Sequence, residues 1–294
     1  YYYFAWANRL VTYYLKTSRT NIALYEVQNM LKEAQKEDDK TGLSRCYNIM
    51  SQIYTIKRFD SMAFEWRLKE IELTEKYNIE NYNISQTYAQ IANYYISQKK
   101  QKEALRAVEK AISTANSSTQ QISAKLEYVN YYSKFGDFQA AEKILKECQI
   151  AFEQDKRLES IKKRLYNIEC LYYQQTRQYQ KALEAAEMQE KEEHRLSESI
   201  LSSSHYRTQG EIYQKMGNMN MAVKYLQMYI NTDDSLKIAN EQVASSEFAT
   251  LLNVEKLNAE KKELMLQAQE KELHNKTTLI ISLICLLYTS PSPR

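Results

Sequence analysis

Proline and glycine are nearly missing from this chain, with two prolines and four glycines in 294 residues. Both prolines fall in the last four residues, and the glycines are Gly42, Gly136, Gly210 and Gly217. A parallel sheet or a barrel needs many more turn residues, so the scarcity excludes those architectures and leaves an all-α chain. Cysteine is scarce too. Cys46, Cys148, Cys170 and Cys285 have neither metal-ligand nor redox spacing, and Cys148 and Cys170 read as small buried hydrophobes rather than as a disulfide. His194, His205 and His274 are equally dispersed, so neither a metal nor a cofactor is expected. A Gly-rich phosphate loop, a nucleophile elbow, HExxH, CxxC and a kinase signature are all absent, and an enzyme is not expected from this stretch of chain. Forty basic residues stand against 37 acidic ones, a net charge of +3. No basic stripe carries interleaved aromatics, so nucleic acid is not the expected partner.

Tyrosine, by contrast, is abundant at 25 residues, and part of it is periodic. The stretch Tyr206 to Leu226 shows the unit: Gly210 and Tyr213 one helical turn apart, a break at Gly217 and Asn218, then Ala222, Tyr225 and Leu226 in a second helix. The pair Tyr213 and Ala222, nine residues apart, recurs as Tyr173 and Ala182, Tyr132 and Ala141, Tyr95 and Ala104, Tyr54 and Ala63, and Tyr14 and Ala23. Successive alanines are separated by 40, 41, 37, 41 and 40 residues. A small residue lets the second helix of a hairpin approach the first, and the tyrosine ring fills the space beside the crossing. One such hairpin cannot bury its apolar stripe alone, so neighbours must stack.

This pattern resembles the tetratricopeptide repeat (TPR). The slot three before each tyrosine holds Val11, Ser51, Ala92, Val129, Cys170 and Gly210. The slot seven after each alanine is small in Ala111 and Cys148 but holds Met30, Glu70, Gln189 and Tyr229 elsewhere, so the repeats are degenerate. The step exceeds the family's usual 34 residues or so. The resemblance implies a superhelical solenoid of about six helical hairpins over residues 1–234, with the first helix of each lining a concave face. Residues implied to face it stand six and two before each tyrosine: Asn8, Asn48, Ala89, Leu126, Asn167 and Arg207, and Thr12, Gln52, Asn93, Asn130, Leu171 and Glu211. Six of these twelve are Asn or Gln. A carboxamide offers a donor and an acceptor together, so a ladder of them can hold an extended peptide by its backbone. The alternative is that these are ordinary polar surface positions. The Lys and Arg pattern of TPRs that grip a free C-terminus is not matched.

Segments 37–43 and 116–121 read as inter-repeat loops, the sixth repeat is expected to start near Ser199, and the acids Asp38–Asp39 and Asp233–Asp234 are expected in loops. Residues 235–276 then read as one long charged helix. Between Glu255 and Lys276 five glutamates meet five lysines, over a thin stripe of Val254, Leu257, Leu264 and Ala268. Such a stripe is either a solvated cap or one side of a dimeric coiled coil. Residues 277–289 carry no charge but are shorter than the ~20 residues of a membrane span, and read as a truncated transmembrane segment. The tail 287–294, LYTSPSPR, reads as foreign to the rest. The opening YYYFAWANRLVTYYL reads as the inside of a helix, without the marks of a secretory signal.

Repeats, a charged helix and an apolar segment, in that order, are similar to the sensor half of bacterial membrane-anchored TPR histidine kinases or helix-turn-helix regulators. The resemblance implies a protein or peptide ligand on the concave face, a homodimer through 235–276, a membrane anchor through 277–289 and an extracytoplasmic (periplasmic) repeat array. The alternative is a soluble cytosolic TPR adaptor or peptide-responsive regulator without an anchor, placing the chain in the cytoplasm.

Overall fold

A computed structural model describes the backbone of residues 2–196 and 203–289 and the side chains of residues 7–192 and 203–279. All regular structure among the described residues is helical. In order, the helices are α1 (Tyr2–Lys16), α2 (Thr20–Lys36), α3 (Lys40–Ile56), α4 (Asp60–Tyr77), α5 (Ile84–Ser97), α6 (Gln101–Ser113), α7 (Ser118–Phe135), α8 (Phe138–Gln154), α9 (Lys162–Gln175), α10 (Tyr179–Leu196), α11 (Ser204–Lys215) and α12 (Met219–Thr289), with a 3-10 turn at Lys156–Ile161 between α8 and α9. Paired in sequence they make six hairpins. The chain divides into two compact units, 1–240 and 241–294.

Within the first unit, every hairpin turns in the same way. The residue four after the packing tyrosine has a positive φ in all six: Ser18, Arg58, Lys99, Gly136, Arg177 and Gly217, between 57° and 91°. The N–H of the next residue then closes back onto the tyrosine carbonyl, from Arg19, Phe59, Lys100, Asp137, Gln178 and Asn218, at 2.8–3.0 Å. This is the left-handed closure that satisfies the last carbonyls of a helix. The carbonyl of that same residue accepts the N–H of the packing alanine at 2.9–3.1 Å, which starts the second helix. The nine-residue spacing of tyrosine and alanine is therefore the length of one turn plus the two helix ends it joins.

Five of the six alanines have no exposed surface and Ala222 has 2%; all six tyrosines are half-buried. Gly210 marks the tightest crossing described among the glycines, because a Cβ there would lie 2.9 Å from Leu226 Cγ. The apolar core is a series of clusters shared between neighbours. One joins α1–α4 around Val27, Met30 and Ile53. The next joins α4–α7 around Ala92, Ala104 and Val108. A third spans α7–α9 around Leu126, Leu145 and Ile168, and a fourth α9–α11 around Ala182, Ala186 and Ile212. Each hairpin buries its stripe against the adjacent hairpins, as a quasi-one-dimensional array does.

The structure differs from sequence expectation at three boundaries. Helix α3 begins inside the 37–43 loop, because the Asp39 carboxylate accepts the Gly42 N–H at 2.9 Å and caps it, so Gly42 is helical and buried rather than between repeats. Helix α7 begins inside 116–121: the Ser117 hydroxyl accepts from Gln120 N, and the Gln120 side chain accepts from Asn116 N, close to a reciprocal capping box. Asp233 and Asp234 lie inside α12 rather than in a loop. Lys237 sits four and three residues after them, at 3.2 Å and 3.8 Å, and such pairs support a helix. The second helix of the sixth hairpin and the long helix expected from 235 are accordingly one element. The expected start of the sixth repeat near Ser199 lies outside the described residues.

In the second unit, α12 continues to Thr289. Residues 255–279 are exposed throughout, so Leu257, Leu264 and Leu273 face solvent. Among the described residues no helix is long and apolar enough to cross a membrane. The side chains of 280–289 and all of 290–294 lie outside the described residues, and with them most of the tail read as foreign.

Candidate functional site

Three of the carboxamides expected on the concave face converge. Asn8 and Thr12 come from α1, Asn48 and Gln52 from α3, and together with Glu70 of α4 and the 78–83 loop they line a cavity of about 640 Å³. A second cavity of about 270 Å³ shares Asn48, Gln52 and Asn83 with the first and adds Gln86, Thr87 and Gln90 of α5. The two share one wall and form a polar groove across hairpins one to three.

Glu70 sets the floor of this groove. Its side chain is 1% exposed. The Asn48 Nδ2 group donates to both carboxylate oxygens at 3.1 Å, Asn81 Nδ2 to Oε1 at 2.8 Å, and the Thr87 hydroxyl to Oε2 at 3.3 Å. Burial pushes the Glu70 carboxyl above its ordinary value, against the opposing pull of these hydrogen bonds and of Arg67 nearby. Asn48 in turn accepts from Gln52 Nε2 at 2.6 Å. The network ties α3, α4, the 78–83 loop and α5 into one wall. A buried carboxylate is tolerated only when its lone pairs are filled, and here neutral donors fill them.

The other expected concave residues lie elsewhere. Asn130 of α7 donates through Nδ2 to Asn93 Oδ1 of α5 at 2.7 Å, a rung between hairpins three and four. Asn167 and Arg207 are exposed and line neither cavity; Arg207 stands 3.5 Å from Glu211. The ladder is thus partly spent on itself. Asn48, Asn93 and Asn130 bond within the protein, while among the described residues no hydrogen bond engages the side-chain carboxamide of Asn8, Asn83 or Gln86.

Sequence reasoning missed the floor and one wall of the groove. Glu70 read only as a departure from a small slot, and Asn81 and Asn83 drew no reading at all. A charged residue in a slot that holds Met30, Ala111 or Cys148 in three other hairpins, followed by the Asn-rich NIENYN, was the available signal. Further buried acids tie later hairpins together. Glu127, 1% exposed, pairs with Arg164 of α9, and Glu169 accepts from Gln149 Nε2 at 2.6 Å, its carboxyl raised by burial. The three described cysteines, Cys46, Cys148 and Cys170, are buried free thiols; burial pushes Cys46 up to about 12 and Cys148 to about 11, so they pack rather than react. Among the described residues no group of His, Cys, Asp and Glu could hold a metal ion.

No known protein family and no curated protein matches this sequence. Among solved structures the chain is similar to the apo form of RapI, with a TM-score of 0.62 at 15% identity over 80% of this chain and 84% of that one. It is similar to NprR in complex with its cognate peptide NprX, with a TM-score of 0.59 at 13% identity over 76% of this chain and 64% of that one. It is also similar to a tetratricopeptide repeat protein from Parabacteroides merdae, with a TM-score of 0.54 at 15% identity over 83% and 84%. Identities this low carry the fold alone, and the fold is a TPR-like helical solenoid followed by a long C-terminal helix.

Proposed function

We propose that this chain is a peptide- or protein-binding scaffold that holds an extended segment in the polar groove of hairpins one to three, without catalysis. The observation that carries this reading is the shared wall of Gln52 and Asn83 between two cavities, with open carboxamides at Asn8, Asn83 and Gln86 beside it. Carboxamides recognise peptide backbone whatever the side chains. That NprR, of the same fold, was solved with a peptide supports it. Calorimetric titration with a panel of short peptides tests it. Gln52→Ala and Asn83→Ala are each expected to weaken binding by about 5-fold, the loss of roughly one hydrogen bond. A panel in which no peptide binds, or binding indifferent to both substitutions, would remove the reading.

A second reading makes the scaffold the sensory region of a membrane-anchored signalling protein. It is favoured by the continuity of α12 from the sixth hairpin to Thr289, which would carry a change in the solenoid into the 277–289 segment. Asp233 of α12 accepts from Ser203 at 3.2 Å and stands 3.9 Å from Arg58, in the turn of the groove-forming second hairpin. The thin stripe on residues 235–276 would then pair with a second copy. Membrane fractionation of the chain with and without 277–289 separates the readings: a peptide-responsive adaptor stays in the soluble fraction with the segment present, and an anchored sensor does not.

A further inference from the structure

Two arginines line the larger cavity from neighbouring first helices, Arg9 on α1 and Arg45 on α3. Both are exposed, and neither makes an ion pair or a hydrogen bond with a described residue. The acid nearest the groove floor cannot serve them, because Glu70 is buried and its oxygens already accept from Asn48, Asn81 and Thr87. The remaining charged group of the cavity, Glu80, belongs to the 78–83 loop and forms no ion pair among the described residues. The helical wall of the groove is therefore cationic and unneutralised, next to carboxamides that are neutral. Arginine is suited to such a position: its planar fork donates two parallel bonds to a carboxylate.

We infer that the groove selects an acidic peptide, whose carboxylates lie against Arg9 and Arg45 while Gln52 and Asn83 hold its backbone. This rests on the peptide-binding reading above and adds the chemical class of its ligand. The carboxylates are those of acidic side chains, since the Lys and Arg pattern of TPRs that grip a free C-terminus is not matched here. Binding strengthened in this way weakens as salt rises, since charges exposed at a groove mouth are screened within ~10 Å at 0.1 M.

The test is calorimetric titration of the whole chain with three probes: acetyl-GDSDG-amide, acetyl-GNSNG-amide, and acetyl-GNSNG with a free carboxyl end. The acidic probe is expected to bind about 10-fold more tightly than the neutral one, the equivalent of one charge-assisted pair. In Arg9→Gln and Arg45→Gln the preference shrinks, and in the double variant it vanishes. Both side chains are exposed and unpaired, so unchanged thermal midpoints are expected and show that the loss is local. Gln52→Ala weakens all three probes alike. If the free-carboxyl probe gains and the aspartate probe does not, the arginines read a chain terminus and the inference is overturned. Equal binding of acidic and neutral probes, or a preference that survives the double variant, overturns the inference while leaving peptide binding in place. Failure of all three probes to bind overturns the inference together with the reading beneath it.

Discussion

Glu70 stands seven residues after Ala63, where other hairpins place Ala111 or Cys148, and its buried carboxylate organises the groove wall. Its carboxyl is raised by burial. A carboxyl whose folded pKa lies above its unfolded one binds protons more tightly in the native state. Its contribution to stability is therefore greatest at low pH, falls as pH rises from the unfolded value to the folded one, and stays low above it. Glu70→Gln removes that contribution. Urea melts at about pH 4.5 and about pH 7.5 are expected to show a larger stability loss with rising pH in the natural chain than in the variant; equal losses would refute the assignment. The turn residues make a second prediction at this scale. Arg177 has φ 60° and Lys99 φ 57°, where glycine stands at the same place in hairpins four and six. Lys99→Gly and Arg177→Gly are each expected to stabilise by up to about 1 kcal/mol through relief of left-handed strain, while Gly136→Ala destabilises by about 1 kcal/mol, read as shifts in the urea midpoint.

Helices α11 and α12 show packing and propensity in competition. Alanine is the better helix former by about 1 kcal/mol, yet a methyl at Gly210 would meet Leu226 Cγ at 2.9 Å and its backbone N at 3.4 Å. The near atom is not the free end of a flexible chain, so the leucine and its helix must shift, at about 1–3 kcal/mol. Gly210→Ala is expected to lower stability by roughly 1 kcal/mol net, and Leu226→Ala in the same chain to make the second change less costly than it is alone. Additive effects in that double-mutant cycle would show that the crossing is not the cause. Hairpins were legible in the sequence because this logic is local: turn, tyrosine and alanine are linked by two backbone bonds that share one residue. Helix ends were less so. Asp39 and Ser117 read as loop residues but act as caps, and Asp233 and Asp234 read as a loop but are held helical by Lys237. The groove floor was not legible, because Asn48, Glu70, Asn81 and Thr87 meet only once two hairpins have stacked.

For the repeat array as a whole, cohesion is passed from hairpin to hairpin, since each apolar cluster is shared by neighbours. A lesion should then act by position. Ala23 and Ala104 are chemically equivalent, each fully buried at a crossing, but Ala23 belongs to the first hairpin and Ala104 to the cluster that joins α4 through α7. Leucine at either site overfills the crossing by a similar amount. In a nearest-neighbour array the first lesion loosens the first hairpin and the one stacked on it, and the second loosens the hairpins on both sides of the third. Hydrogen exchange is expected to rise in Ala23→Leu mainly over 7–56, with 138–192 unchanged, and in Ala104→Leu on both sides of the third hairpin. The contact of Arg58 with Asp233, far apart in sequence, sharpens the test. Exposed on the Arg58 side and screened by salt, it should be worth no more than about 1 kcal/mol, too little to make distant hairpins unfold together. Uniform loss of protection from either substitution would mean that the array folds as one cooperative body, and that the shared clusters do not set the limits of its local unfolding.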